Sequence, residues 1–327
     1  MGEELRLGVT QKAVGPDETG MRLDRWFREH VPGLAFGHLQ KLLRSGQIRI
    51  DGARAKADTR LAAGQTVRIP PIRVEAPQEK TAKPSDADFL RNLLLHEDEQ
   101  VFVFNKPHGL AVQGGSGTTR HMDGLLEALR DRQGRKPRLV HRIDKDTSGI
   151  LVVARTKGAA TALAASFRAR ETQKVYWALV RGVPKPKQGR ISTYVARKGP
   201  RGEERMEIVK HGEADSDHAL TYYNVLETAG QKVSWVTLKP VTGRTHQLRV
   251  HCNYIGHPIL GDPRYFDVEN WELPGGIQNR LHLHARRIVM PHPKGGTLDV
   301  TAPLPPHMLQ SFNLLGLDAD AYDEDDA

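Results

Sequence analysis

An aspartate, Asp144, stands between Arg142 and Lys145 in the polar string His-Arg-Ile-Asp-Lys-Asp-Thr-Ser-Gly, His141 to Gly149. Cations on either side keep a carboxylate ionised, which suits it to nucleophilic attack or to proton abstraction. Asp146 offers a second acid, the pairing that glycoside hydrolysis uses. Carboxylates two residues apart rarely flank a bond at the roughly 5–9.5 Å that such chemistry needs, so that reading is set aside. His246 and His251 raise the question of a metal, but five residues apart they share no helical face, and no third ligand stands at a workable spacing. Cys252 is the single cysteine, which excludes an internal disulfide and a thiolate-cluster zinc site. Lys106, close to Gly109, Gly114, Gly115 and Gly117, could help cradle phosphate. It lacks the Gly-Lys-Ser/Thr and following helix of a nucleotide-hydrolysing loop. No metal and no cofactor are expected.

The elements that must hold Asp144 are written in the flanking pattern. Apolar runs at Arg138 to Val140 and Ile150 to Ala154 read as strands, placing the string on a loop of a rigid sheet, where catalytic side chains concentrate. Further strands are expected at Gln100 to Asn105, Lys174 to Arg181, Leu220 to Leu226 and Val233 to Pro240, with helices near Gly124 to Asp131 and Gly158 to Arg168. Alternation puts Tyr176 and Ala178 on one strand face and Trp177 on the other. After a Thr242-Gly243 turn, Thr245, Leu248, Arg249 and Cys252 recur at helical spacing, and Leu281 and Leu283 alternate onto one shared side. Strands without regular helical crossovers predict an α+β fold with a mixed, largely antiparallel sheet.

The first 75 residues read as a small α/β module of two helices on a small sheet. Leu23, Trp26, Phe27 and Val31 mark one helix, ended by Pro32-Gly33, and Ala35, Leu39, Leu42 and Leu43 mark a second, stopped by Ser45-Gly46. Strands follow around Ile48 and Ile50 and at Val67 to Ile69. Lys41 and Arg44 share a face of the second helix, with Arg49, Arg54 and Lys56 just beyond. Pro70, Pro71, Pro77 and Pro84 mark residues 70–86 as a linker, leading to a short helix around Phe89, Leu93 and Leu94 capped by Ser85. The expected division is a module at 1–75, linker and helix at 76–95, a catalytic body at 96–315 and an acidic, disordered tail at 316–327.

The formal net charge is +9, yet six acids fall among the last ten residues; without them, 48 bases face 33 acids. An excess of that size favours a polyanionic partner. No apolar run reaches the roughly 18 residues of a membrane span, and the acidic start lacks the regions of a signal peptide. A cytoplasmic, monomeric protein without membrane association is expected.

The string from His141 to Gly149 resembles the His-Arg-Leu-Asp-x-x-Thr-Ser-Gly signature of pseudouridine synthases that act on large-subunit ribosomal RNA and related RNAs, with Ile143 in place of Leu. Asn105-Lys106-Pro107-x-Gly109, Lys174-x-Tyr176-x-Ala178-x-Val180-x-Gly182 and Pro240 to His251 are similar to further stretches of that family, in family order. His257 to Tyr265 and Leu281 to Ala285 resemble stretches that complete the pocket wall. Gly114-Gly115-Ser116-Gly117 is similar to the C-type subgroup of the large-subunit synthases. The first 75 residues look like a small RNA-binding module known from a small-subunit ribosomal protein, with Gly37 where its second helix commonly starts on Ser or Thr.

The resemblance implies that Asp144 acts at the sugar, that Arg249 pairs with it and that Tyr176 stacks on the target base, without a cofactor. It further implies RNA contacts from Arg142, Lys106, Lys41, Arg44, Arg49, Arg244, His246 and Gln247, with Leu281 and Leu283 under the base. The partner it implies is large-subunit ribosomal RNA or its precursor. Transfer RNA is the alternative substrate, and a catalytically dead RNA-binding assembly factor the alternative class.

Overall fold

The structure, a computed structural model of the 327-residue chain, describes residues 4–7, 9–31, 34, 36–75, 84–115, 118–200, 205–266 and 275–322. It comprises two compact units, Met1–Thr81 and Ala82–Ala327.

In the first unit, β1 (Glu4–Leu7) and β2 (Thr10–Ala13) precede α1 (Leu23–His30) and α2 (Phe36–Arg44). Then come β3 (Arg49–Ile50), β4 (Ala53–Arg54), β5 (Thr66–Ile69) and β6 (Ile72–Glu75). The apolar spacing that predicts the helices also fills their core, where Leu23, Trp26, Phe27, Leu39, Leu42 and Leu43 are buried with Ile48, Ile50 and Val67. Each such side chain contributes about 1.5–3 kcal/mol on leaving water. Gly37 lies inside α2 rather than at its cap. Ile72–Glu75, expected as linker, pairs antiparallel with Glu4–Leu7, because Ile72 finds a place in the core. The expected helix stop at Pro32-Gly33, and Ala35, Pro77, Ser116 and Gly117, lie outside the described residues.

The second unit begins with α3 (Pro84–Asn92), β7 (Leu94–Glu97), β8 (Val101–Lys106), α4 (Met122–Leu125), β9 (Arg138–Leu139) and β10 (Ser148–Ala154). It continues through α5 (Lys157–Ala169), β11 (Gln173–Arg181), β12 (Gln188–Lys198), β13 (Arg205–Val209), β14 (Asp217–Ala229) and β15 (Val233–Pro240). Last come α6 (Gln247–Tyr254), β16 (Leu283–Pro291), β17 (Thr297–Thr301) and α7 (Pro306–Leu315). Among the described residues the large sheet holds eleven strands, ordered β13-β12-β14-β15-β11-β16-β10-β8-β7, with β17 against β16 and β9 against β10. Only β10 with β16 runs parallel among these pairs, so the sheet is mixed and largely antiparallel. Ser85 lies within α3 rather than capping it.

Alternation divides the sheet faces. Ala178, Val236 and Leu238 meet Leu248 and Cys252 of α6 on one side. Trp177, Leu179 and Trp235 meet Met308 and Phe312 of α7 on the other. The start of the expected disordered tail packs here as well: Leu317 is buried, and Tyr322 stands edge-on to Trp235 at 4.8 Å while its hydroxyl donates to the Leu226 carbonyl at 2.8 Å. Apolar positions among the acids account for that correction. Residues 323–327 lie outside the described part.

Candidate active site

The loop between β9 and β10 carries Asp144 into a cavity of about 630 Å³. Its main chain is tied from several directions. Lys106, at the end of β8, has its ammonium fully buried and donates to the carbonyls of Pro107 (2.9 Å), Leu110 (2.8 Å) and Lys145 (3.0 Å). Gly109 N–H also donates to the Lys145 carbonyl, at 3.0 Å, and Thr147 N–H to that of Asp144, at 3.2 Å. Burial pulls the Lys106 pKa down to about 7 against the opposing charges of Asp146 and Asp144. Lys106 was expected to touch the substrate strand; it is instead an internal brace, because three converging carbonyls satisfy its ammonium. Gly149 closes the loop with φ at +105°, where a Cβ would run into the carbonyl of Ala285 on the neighbouring parallel strand.

Two neighbours set the wall beside Asp144. Nε2 of His141 accepts from the Val152 N–H at 2.8 Å while the ring stacks on Phe167. Burial, with Lys174 nearby, lowers its pKa to about 3, so the ring is neutral. Arg142 is exposed and donates to the Thr245 hydroxyl at 3.0 Å. Tyr176 of β11 lines the cavity, its phenol pKa raised by burial and then by the charge of Asp144.

The opposite wall comes from the turn before α6 and from α6 itself. Arg249 is buried on α6 with Nη1 3.8 Å from Asp144 Oδ2. Its fork is not spent on Asp144. Nε and Nη2 donate to the two carboxylate oxygens of Asp262, each at 2.7 Å. Asp262 is itself fixed by the backbone N–H groups of Arg264 (2.9 Å) and Tyr265 (3.1 Å). Burial opposes the charge of Arg249, but Asp262 and then Asp144 raise its pKa above the ordinary value. Arg249 thus faces Asp144 as expected, but through one nitrogen, while Asp262 takes the fork. A guanidinium has five N–H donors in a fixed plane, so it can do both.

His246, just before α6, adopts a left-handed backbone at φ +52°, a conformation that costs a non-glycine residue energy and concentrates at functional sites. Its Nδ1 meets the Tyr265 hydroxyl at 2.9 Å and its Nε2 stands 3.9 Å from Asp144 Oδ2. Burial lowers its pKa, with Asp144 pulling the other way.

Other expected site residues fall elsewhere. Gln247 is buried; its amide donates to the Leu220 carbonyl and Thr221 hydroxyl, and its carbonyl accepts from Thr242 and the Arg244 N–H. No capacity is left for RNA, so it is a structural tie. Leu283 lines the cavity, whereas Leu281 packs in the core with Val180 and Ile259. Arg244 lies at the rim, donating to the His218 carbonyl at 3.2 Å and standing 3.2 Å from Asp217. His251 meets the hydroxyls of Thr193 and Thr221, each at 2.9 Å, and shares nothing with His246. Among the described residues no group of three His, Cys, Asp or Glu is arranged to hold a metal. In the first unit Lys41 and Arg44 are exposed on α2, and Arg49 braces a turn by donating to the carbonyls of Gly46 (3.2 Å) and Gly52 (2.9 Å). Sequence reasoning missed Asp262 as a functional group and Lys174 as a cavity residue. The strand alternation that points Tyr176 inward also points Lys174 there.

A carboxylate with one guanidinium nitrogen facing it, a neutral phenol ring and an open mouth rimmed by cations could act on a flat substrate attached to an anionic chain. Residues 100–254, which contain Asp144, Tyr176 and Arg249, match the family described as RNA pseudouridylate synthase. The chain is also 37% identical over 326 residues to a ribosomal large subunit pseudouridine synthase C of Vibrio cholerae, covering 94% of this chain and 98% of that one. The chain belongs to the RNA pseudouridylate synthase family. The Escherichia coli synthase of the same name is 37% identical, with 89% of this chain and 92% of that one covered. Two solved human synthase-domain proteins share the fold. RNA pseudouridylate synthase domain containing 4 matches at TM-score 0.60 and 30% identity, over 71% of this chain and 96% of its own. Domain containing 1 matches at 0.54 and 32%, over 66% and 85%. The family's members are isomerases, and this chain is a pseudouridine synthase.

Proposed function

We propose that this synthase isomerises uridine to pseudouridine in large-subunit ribosomal RNA or its precursor, with Asp144 as the group that acts at the sugar. The observation that carries the reading is the facing of Asp144 and Arg249 Nη1 across 3.8 Å in a cavity that Tyr176 also lines. Pseudouridine formation detaches a uracil, turns it over and rejoins it through carbon. One ionised carboxylate, a surface to hold the ring and exclusion of water are what such a reaction asks of a protein. Asp144 does this either by attacking the anomeric carbon or by removing a sugar proton. Arg249 orients Asp144, and Tyr176 stacks on the base; such stacking contributes roughly 1–3 kcal/mol. The target nucleotide is flipped out of its stack to enter. Arg142, exposed beside Asp144, fills the vacancy, and His246 and Arg244 contact the RNA at the mouth.

The first 75 residues act as an RNA-binding module, with Lys41 and Arg44 toward phosphates. The names of the bacterial relatives and the surplus of positive charge support ribosomal RNA as the substrate. Among the described residues no helix is long and apolar enough to cross a membrane; the reading takes the enzyme as a monomer of the cytoplasm. The test is tritium release from RNA labelled at uridine C5. Release from a large-subunit transcript and none from transfer RNA is expected; release from transfer RNA alone would overturn the substrate assignment.

A further inference from the structure

Away from the cavity, three neighbouring strands place unlike residues in one row. Arg190 of β12 lies opposite Tyr222 of β14, and Tyr222 lies opposite Lys239 of β15. Directly opposed residues stand about 4.5–5.5 Å apart at Cβ and project from the same face. Tyr223 packs with Val236, Leu238 and Leu283 on the cavity side, so Tyr222 projects from the other. α7 covers Trp177 and Trp235 on that face, yet Tyr222 remains 46% exposed, with Arg190 and Lys239 exposed on either side. Neither cation has an ion-pair partner among the described residues; β12 and β15 contain no Asp or Glu, and Glu227 of β14 stands beyond the row, opposite Trp235. The row borders a groove of about 520 Å³, also lined by Thr237. Lys187, exposed just before β12, adds a further positive charge.

We propose that Arg190, Tyr222 and Lys239 form a second docking platform that holds an unpaired nucleotide of the RNA substrate on the sheet face opposite the active-site cavity. The inference rests on the reading of the substrate as RNA. An exposed ring on a sheet accepts a stacked base, as sheet aromatics do in RNA-binding modules. The two cations meet the phosphates on either side of that base. A groove lined by Arg190 and Lys239 and by no acid matches a nucleic-acid strand rather than a protein partner of mixed charge. The platform lengthens the track over which a large RNA is held and leaves the chemistry to Asp144.

The experiment measures binding of a large-subunit RNA fragment by fluorescence anisotropy, with tritium release followed on the same fragment. Tyr222→Ala is expected to raise Kd about 5- to 150-fold, the range that loss of one stacked base produces, and Tyr222→Phe to bind as wild type. Replacing Arg190 and Lys239 together by Gln is expected to reduce the salt slope of log K by about 1.4, as loss of two single-strand phosphate contacts does. The rate at saturating RNA should be unchanged in all three, and thermal unfolding establishes that each variant folds. Affinity and salt slope equal to wild type in Tyr222→Ala and in the double variant would overturn the platform, as would a Phe variant as weak as the Ala variant. Failure of the underlying substrate reading shows separately, as absence of tritium release by the wild type.

Discussion

The two walls of the cavity are built by different means. The Asp144 loop is held through its main chain: Lys106 and Gly109 share the Lys145 carbonyl, Thr147 holds that of Asp144, and Gly149 seats the loop against β16. The α6 wall is held through side chains, and its key arm, Arg249, is fixed by one carboxylate, Asp262. Redundant backbone ties tolerate the loss of a member. A single buried ion pair does not, because a charge stripped of its partner keeps the cost of burial.

The largest effect of a substitution away from Asp144 is therefore expected at that arm. Asp262→Asn cannot accept both arms of the fork and should lower the rate at saturating RNA by orders of magnitude, with a loss of roughly 3–5 kcal/mol in urea unfolding. Arg249→Lys should rescue poorly, since an ammonium cannot serve Asp262 and Asp144 in one plane. A Lys variant at near-normal rate would mean that the fork is dispensable and the contrast between the walls false.

That contrast also separates what the sequence discloses from what it hides. The Asp144 loop was legible because its residues are contiguous and flanked by buried apolar runs. β10 and β15 follow such runs, and α6 follows its helical spacing. The fork between Arg249 and Asp262 was not: an ion pair thirteen residues apart leaves no periodic trace. Lys106 read as a surface cation because the three carbonyls that bury it meet only in the fold. β12 and β13 went unseen because their alternation is largely polar, as suits strands with an exposed face. Residues 316–322 were hidden by their acids, although Leu317 and Tyr322 are what dock them.

A smaller effect on rate is expected on the loop side. Lys106→Met leaves buried carbonyls without a donor, at about 1–3 kcal/mol each, although Gly109 still serves the Lys145 carbonyl. The urea midpoint should fall clearly while the rate at saturating RNA drops less than tenfold. A rate loss as deep as that of Asp262→Asn, with stability intact, would make Lys106 part of the chemistry and erase the distinction.

The buried histidines tie stability to pH and leave the rate at neutral pH unchanged. Burial lowers the pKa of His141 and His284 to about 3 and of His251 and His307 to about 4, from an ordinary 6.5. Above pH 6.5 these rings are neutral whether the chain is folded or not. As pH falls from 6.5 toward 4, the unfolded chain gains protons that the folded one excludes, so stability declines through that window. Urea midpoints at pH 7.5, 6 and 5 should decrease in that order. His251 belongs to the side-chain-held wall, so His251→Gln should flatten the decline. A constant wild-type midpoint would contradict burial of neutral histidines.

Asp144→Asn tests the central claim most directly, that this one carboxylate carries the isomerisation. The substitution keeps the shape and removes the charge. Pseudouridine formation on large-subunit RNA should become undetectable while RNA affinity stays within about threefold of wild type, because one acid changes little of the phosphate contribution. Measurable turnover by the Asn variant, free of wild-type enzyme, would contradict the account.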